Sequence, residues 1–448
     1  MTDVNIDINN DTNSQAKNIN GNLDPFRVMW RNLTYTANDN TNRKKVILNG
    51  VNGYFISGQI TGIMGPSGCG KSTLLGCIAG IKTKGLSGSI TISTNIKVKF
   101  ASIAQENYIL SRLSVRESLM YASKLKNDPF VDHSGIVNDV IDKLMIQTCA
   151  DNRPSRCSGG QLKRALIGLE LVSRPNILIL DEPTTGLDSV TTWQLINTLI
   201  ALTQQPEPVA VVLTIHQPSA RLFNLFHAIY LLSADGQCIY NGSPKAMRYT
   251  FMECGLECPQ FTNPSDFALE VASKEHGVDR LVTLATIVKT DAKQMPANKY
   301  KINNNHGFRT SRDIYFLTVR SFQTMIRDPF MLPMRFFGYI IVGLAISLLF
   351  GTDSGVLSGC PSDYGVGDGS NLIQKALDNA ADLFENCCGL AFICLFGWFG
   401  GIFPVLLIFP IELNEYGNGY YSCFSYFMSK VLSDIPFSLI LPNLAAFP

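Results

Sequence analysis

The sequence predicts an α/β domain built on a largely parallel sheet, followed by an all-α membrane-spanning domain whose helix set is incomplete. Three observations predict it. Short β-branched apolar stretches alternate with helical ones up to residue 270, a glycine-rich turn joins one of these strands to a helix, and charge drains away after residue 328. The chain has 448 residues, 46% hydrophobic and 16% charged, against roughly 25% charged in an ordinary soluble protein. Residues 329–448 hold 12 charged side chains, whereas residues 25–328 hold 56. The last quarter therefore suits an apolar solvent and the rest suits water. With 37 basic and 36 acidic residues the net charge is +1, so no basic field speaks for nucleic acid as a partner. The 12 cysteines are scattered and form no secreted disulfide framework. Met1–Asp24 has no apolar run of the kind a secretory leader needs, so the chain is expected to begin in a reducing cytosol.

Taken in order, residues 1–24 are an Asn-rich tail expected to be disordered. Residues 25–270 form the α/β domain, with strand-like stretches at 27–35, 46–63, 88–104, 177–181, 209–215 and 228–240. Ile177–Leu180 and Val209–Ile215 are apolar but for Thr214, the pattern of strands covered on both faces. Residues 271–310 turn polar and read as a linker with at most one short helix. Residues 311–328 have Tyr315, Val319, Phe322 and Ile326 at helical spacing, which predicts an amphipathic helix that keeps Arg312, Arg320 and Arg327 hydrated.

Pro329 ends that helix, and two long apolar runs follow. Residues 330–350 carry one charge, Arg335, near the start, where its long side chain can snorkel. Residues 389–411 carry none. About 20 residues at a rise of 1.5 Å cross a roughly 30 Å hydrocarbon layer, so both runs suffice. The loop 351–388 holds six acidic residues against Lys375, while Lys and Arg crowd the approach at 289–335. That bias keeps the α/β domain in the cytosol and puts the loop outside, making a multi-pass protein of an unspecified membrane. Residues 412–424 form a connecting region, and 425–448 begin a third span.

Chemistry concentrates in three places. Gly65, Pro66, Ser67, Gly68, Cys69, Gly70, Lys71, Ser72 and Thr73 satisfy the spacing of a phosphate-cradling loop between a strand and a helix. Glycines let successive amides converge on phosphate oxygens, the helix start adds partial positive charge, and Lys71 adds a full one. Asp181 and Glu182 end the apolar strand at 177–180, where a Mg²⁺ ligand and a base for an attacking water belong. Ser158, Gly159, Gly160 and Gln161 open a second helix, either as a plain cap or as a cradle for another subunit's nucleotide.

These elements, with Thr185-Gly-Leu-Asp188 and His216, resemble an ATP-binding cassette ATPase. Ser114-Val-Arg-Glu117, Lys163-Arg164, Ile167-Gly-Leu-Glu170, Ile215-His-Gln-Pro-Ser219 and Asn263-Pro-Ser-Asp-Phe267 narrow the resemblance to subfamily G, the White-type half-transporters. It covers about residues 26–350 and 387–448. It implies ATP and Mg²⁺ as cofactors, with Lys71 and the Gly68–Thr73 amides on the β- and γ-phosphates. It further implies Ser72, Gln105 and Asp181 around Mg²⁺, Glu182 as general base and His216 on the γ-phosphate. Ser158–Gln161 would serve the partner's ATP, with Asp188 at the dimer seam. Tyr35 would stack on adenine or be a core tyrosine.

Phe396, in the aromatic second span, is the implied substrate-cavity residue. Cys360, Cys387 and Cys388 could form an external disulfide, or Cys387 and Cys388 could pack at a span end. Cys157 stands where the family usually has Val or Leu, and Cys69 replaces a small residue. Residues 412–421 are similar to the family's coupling helix, without the Glu-Arg pair that often precedes it.

The implied function is an ATP-hydrolysing subunit, paired in a homo- or heterodimer with another half-transporter in a lipid bilayer, exporting a lipid-like or other hydrophobic substrate. A truncated, non-transporting ATP-binding partner or inhibitory subunit is the alternative. A soluble cassette ATPase is opposed by the uncharged run at 389–411.

Overall fold

The computed structural model describes residues 26–38, 44–94, 98–105, 109–260, 262–274, 277–293, 310–330 and 411–446, with isolated positions within 333–348 and at 384. The tail 1–24, Phe396, Cys360, Cys387 and Cys388, nearly all of the 389–411 run and most of 330–350 lie outside the described residues. The chain divides into two units, Met1–His306 and Gly307–Pro448.

The first unit runs β1 (Arg27–Asn38), β2 (Lys44–Ile56), β3 (Ile60–Met64), α1 (Lys71–Ile78), β4 (Leu86–Ser93), β5 (Phe100–Ile103), α2 (Val115–Lys126), α3 (His133–Lys143) and α4 (Gly159–Leu171). It continues through β6 (Ile177–Leu180), α5 (Ser189–Thr203), β7 (Ala210–Thr214), α6 (Ala220–Phe223), β8 (Ala228–Leu232), β9 (Cys238–Gly242), α7 (Pro244–Glu253), α8 (Pro264–Ala272) and α9 (Val278–Lys293). Two sheets result. One has the order β2-β1-β4 and is antiparallel; the other has the order β5-β6-β7-β3-β8-β9 and is parallel except for β9.

Three of the expected strand stretches are each two strands. The stretch 46–63 breaks at Ser57-Gly58, where Gly58 takes φ 75°, and its halves join different sheets. The stretch 88–104 likewise divides into β4 and β5, one in each sheet. The stretch 228–240 folds back as the β8–β9 hairpin over Ser233–Gln237, with Gly236 at φ 68°. Apolar runs set where strands form, and in two of the three stretches a glycine in the left-handed region lies where the first strand ends.

β6 and β7 are buried along their whole length, as their near-continuous apolarity requires, with Thr214 the one hydroxyl among them. Helix α1 lies between the sheets. Its Leu74, Leu75 and Ile78 share one core with Val28, Trp30, Leu33 and Phe55 of the antiparallel sheet and with Ile63, Ile179 and Val212 of the parallel one.

The one helix allowed for in the expected linker 271–310 is α9, and it is longer than expected. Helix α9 has 16 residues and packs on β9 and β2, burying Leu281, Leu284 and Ala285. Three buried apolar positions at i, i+3 and i+4 suffice for docking, even though polar residues dominate the helix composition.

The second unit contains α10 (Thr310–Ile326), a short helix α11 (411–417) and α12 (Cys423–Ala446). The amphipathic reading of α10 is inverted. Arg320 is buried, while Tyr315, Val319, Phe322 and Ile326 are exposed. The reason is an ion pair: Arg320 Nη1 and Nη2 donate to Glu415 Oε1 and Oε2, both at 2.8 Å. The Tyr421 hydroxyl also donates to Glu415 Oε2, at 3.1 Å. A bidentate carboxylate satisfies a guanidinium away from water. Arg335 is engaged likewise, donating to Asp434 Oδ1 at 2.6 Å. Among the described residues no helix is long and apolar enough to cross a membrane.

Candidate nucleotide-binding site

β3, β5, β6, β7 and β8 run parallel, with Met64 beside Leu231, Ile63 beside Thr214, Leu180 beside Leu213 and Ile103 beside Leu180. Their carboxyl ends therefore line one edge, and whatever follows each strand emerges there. Gly65 follows β3, Gln105 follows β5, Asp181 and Glu182 follow β6, His216 follows β7 and Asp235 follows β8. A cleft of about 920 Å³ opens at that edge. Ser67, Gly68, Gly70, Lys71, Ser72, Thr73, Gln105, Glu182 and His216 line it.

The floor is the start of α1. Gly70 is its N-cap at φ 100°, and no side chain covers its first amides. A Cβ on Gly70 would lie 3.0 Å from Ile47 Cγ2, in a conformation that L side chains resist. Lys71 Nζ donates to Gly65 O at 2.9 Å and Pro66 O at 3.0 Å, so the ammonium is held over its own loop. Gly65, Pro66 and Cys69 form the back of the turn and do not line the cleft. Cys69 is buried, and burial pushes its thiol up despite the opposing charge of Lys71. An uncovered helix start beside a held cation fits an anion of several charges.

The wall carries the acids. Glu182 sits at φ 49°, a left-handed backbone, and its N–H donates to Thr214 Oγ1 at 2.7 Å. Its Oε1 meets His216 Nε2 at 2.5 Å. Its Oε2 accepts from Gln105 Nε2 at 2.9 Å and from Thr185 Oγ1 at 3.2 Å. Thr214 Oγ1 donates to Asp181 Oδ1 at 2.7 Å, so one buried hydroxyl orients both acids. Asp181 itself does not line the cleft, whereas Ser72 and Gln105 do. Hydroxyl, amide and carboxylate oxygens are the donors Mg²⁺ prefers, and this set fits it.

Lys163, on α4, reaches the same corner. It is buried, its Nζ donates to Gln105 O at 3.4 Å, and burial lowers its pKa against the opposing pull of Glu182. Neither Thr214 nor Lys163 was identifiable as a site residue. The only signal for Thr214 was a hydroxyl closing an otherwise apolar strand.

The second glycine-rich turn lies elsewhere. Ser158 is the N-cap of α4 in a complete capping box: Ser158 Oγ accepts from Gln161 N at 3.3 Å, and Gln161 Oε1 accepts from Ser158 N at 3.0 Å. Ser158 and Gly159 are exposed, and none of Ser158–Gln161 lines the cleft. Gly160 is buried against α5, where a Cβ would meet Thr191 Cγ2 at 2.1 Å. Asp188 caps α5, accepting from Val190 N at 3.0 Å, Thr191 N at 2.9 Å and Thr191 Oγ1 at 2.6 Å. The Thr191 hydroxyl bond, then its amide, hold the Asp188 carboxyl below its ordinary 3.8. Tyr35 packs against the hydrophobic core and is not on the cleft; Val46 and Ile47 of β2 line it instead.

Residues 48–185 match the ABC transporter family, and residues 312–447 and 216–320 match two ABC-2 type transporter families. The chain is similar to ABC transporter G family member 1 of Petunia hybrida, at 29% identity over 92% of this chain and 68% of that protein. It is similar to Protein white of Drosophila melanogaster, at 27% identity over 89% of this chain and 60% of the relative. A broad substrate specificity ATP-binding cassette transporter of Sus scrofa is 27% identical over 90% and 65%, respectively. The chain thus spans about two thirds of the length of these relatives.

Proposed function

The chain belongs to the G family of ATP-binding cassette transporters, and from that premise we propose that it is one half of an ATP-driven exporter. Two copies, or this chain and a related half, would clasp ATP between them, each bringing its Ser158–Gln161 helix start over the other's triphosphate. Asp188, beside that helix start, would lie at the seam. Lys71 and the amides of Gly68–Thr73 would hold the β- and γ-phosphates, with Ser72, Gln105 and Asp181 holding Mg²⁺. The metal, when bound, neutralises charge developing between the phosphates.

Glu182 takes the proton of the attacking water, and His216 keeps that carboxylate oriented. Oε2 already accepts from Gln105 and Thr185, so one of the two must release it before a water can donate there. The work is positioning and charge neutralisation, the terms that dominate phosphoryl transfer. Export of a lipid-like or other hydrophobic substrate follows from the family, with Phe396 as the residue to test in the cavity.

The observation that carries this reading is the convergence in one cleft of an uncovered helix start, a held lysine and a glutamate gripped by glutamine and histidine. The test is the full chain in lipid nanodiscs, assayed for Mg²⁺-dependent phosphate release, and in vesicles for ATP-driven flux of a fluorescent lipid. Phosphate release abolished by Glu182→Gln supports the reading. Wild-type chain that releases no phosphate with Mg²⁺-ATP, alone or with a co-expressed half, overturns it.

A further inference from the structure

We propose that Lys163 is a positioning residue: from α4 its ammonium holds the main chain of Gln105, and so fixes where the Gln105 side chain can reach. Gln105 stands two residues beyond Ile103, where the pairing of β5 with β6 ends. The last bond between those chains is from Asp181 N to Ile103 O, at 3.0 Å. Among the described residues Gln105 makes no backbone–backbone hydrogen bond. It is held at two points. Its Nε2 donates to Glu182 Oε2 at 2.9 Å, and its carbonyl accepts from Lys163 Nζ at 3.4 Å. Lys163 is thus the one tie on its main chain among the described residues.

The lysine gains little for itself there. Its side chain is on α4, five residues after Ser158, and the residue is only 7% exposed. An ammonium offers three donors. Among the described residues Nζ uses one, in that single long bond, and has no ion pair. An apolar side chain of similar length would fill the space without the cost of burying a charge. What the ammonium adds is its hold on the glutamine carbonyl.

The consequence rests on the proposed function, in which Gln105 is a ligand of Mg²⁺. A group that orients a metal ligand without touching the metal sets how well that ligand is presented. Charge and position then act in opposite senses. Taking a cation away from a metal site tightens the metal by relieving repulsion, whereas taking away the tie on its ligand loosens it. The sign of the change separates the two.

The experiment titrates the full chain in lipid nanodiscs with Mn²⁺, a paramagnetic substitute for Mg²⁺, in the presence of a non-hydrolysable ATP analogue. Bound Mn²⁺ is read by electron paramagnetic resonance, so no turnover is needed. Lys163→Met should weaken Mn²⁺ binding by about tenfold or more. Lys163→Gln, too short to reach the carbonyl, should do the same, and either variant is enough if the other fails to fold. On a Gln105→Ala background, Lys163→Met should weaken the metal no further, because the side chain it positions is gone. Unchanged Mn²⁺ affinity would leave Lys163 a packing residue and overturn the proposal. So would tighter binding, the mark of charge alone, or an equal loss on the Gln105→Ala background. A wild-type chain that takes up no Mn²⁺ with nucleotide would overturn the assignment of the cleft and this inference together. A wild-type chain that takes it up yet drives no flux would overturn the transport reading alone, and weakening by Lys163→Met would still uphold the tie.

Discussion

Helices α1 and α4 both begin on glycine-rich turns, yet α1 has no side chain over its first amides while α4 is closed by Ser158 and Gln161. The first start also has a lysine folded over its own carbonyls; the second has its third residue, Gly160's neighbour Gln161, bonded back to the cap. Both turns look alike as strings of Gly and Ser. The open start has room to take an anion, because no side chain caps its first amides. The closed start has satisfied part of its demand, so any anion there adds to a helix that is already stable.

The comparison can be broken in several ways. The largest effect is expected at the open end. Glu182→Gln should lower ATP turnover by about a hundredfold or more, with ATP affinity near wild type, read by single-turnover hydrolysis beside equilibrium nucleotide binding. Lys71→Ala should weaken ATP binding by roughly tenfold to a hundredfold, the worth of a charge-assisted hydrogen bond; equal affinity would mean that the open start is not the phosphate site.

At the closed end the costs should be structural. Gly160→Ala should destabilise the first unit by about 1–3 kcal/mol through overpacking on Thr191, and Thr191→Ser, which removes the offending methyl and keeps the hydroxyl, should recover part of it. Thermal melts of the two single variants and the double variant would settle this. Ser158→Ala should cost about 1 kcal/mol as a lost cap, leave ATP binding at Lys71 unchanged and slow turnover; unchanged turnover would make the capping box its only role.

The smallest effect concerns Asp188. Its folded pKa lies below 3.8, so its contribution is present above that value and fades as pH falls through the folded one. Melts taken from about pH 5 down to pH 3 should lose this contribution in wild type and not in Asp188→Asn.

Much of this was legible along the chain. Ser67, Gly68 and Gly70–Thr73 of the glycine-rich loop share one cleft with Gln105, Glu182 and His216, and Ser158 is an exposed helix start. Each belongs to a local motif, in which a few adjacent residues fix the backbone. Thr214, Lys163 and Arg320 were not legible. Their importance depends on partners 33, 58 and 95 residues away, respectively. The length and docking of helix α9 escape the sequence for a related reason, since three buried apolar side chains in a polar stretch signal docking only when the surface they meet is known.

Spacing alone determined that a strand would hand its chain to a glycine turn and then to a helix, because glycine and lysine at those intervals dictate the backbone directly. The tertiary structure alone decided which helix start stays open, which arginine is buried, and which hydroxyl orients Asp181 and Glu182. Those outcomes follow from burial and pairing, and the free energy of a charged or hydrogen-bonding group is set by whatever the fold brings beside it.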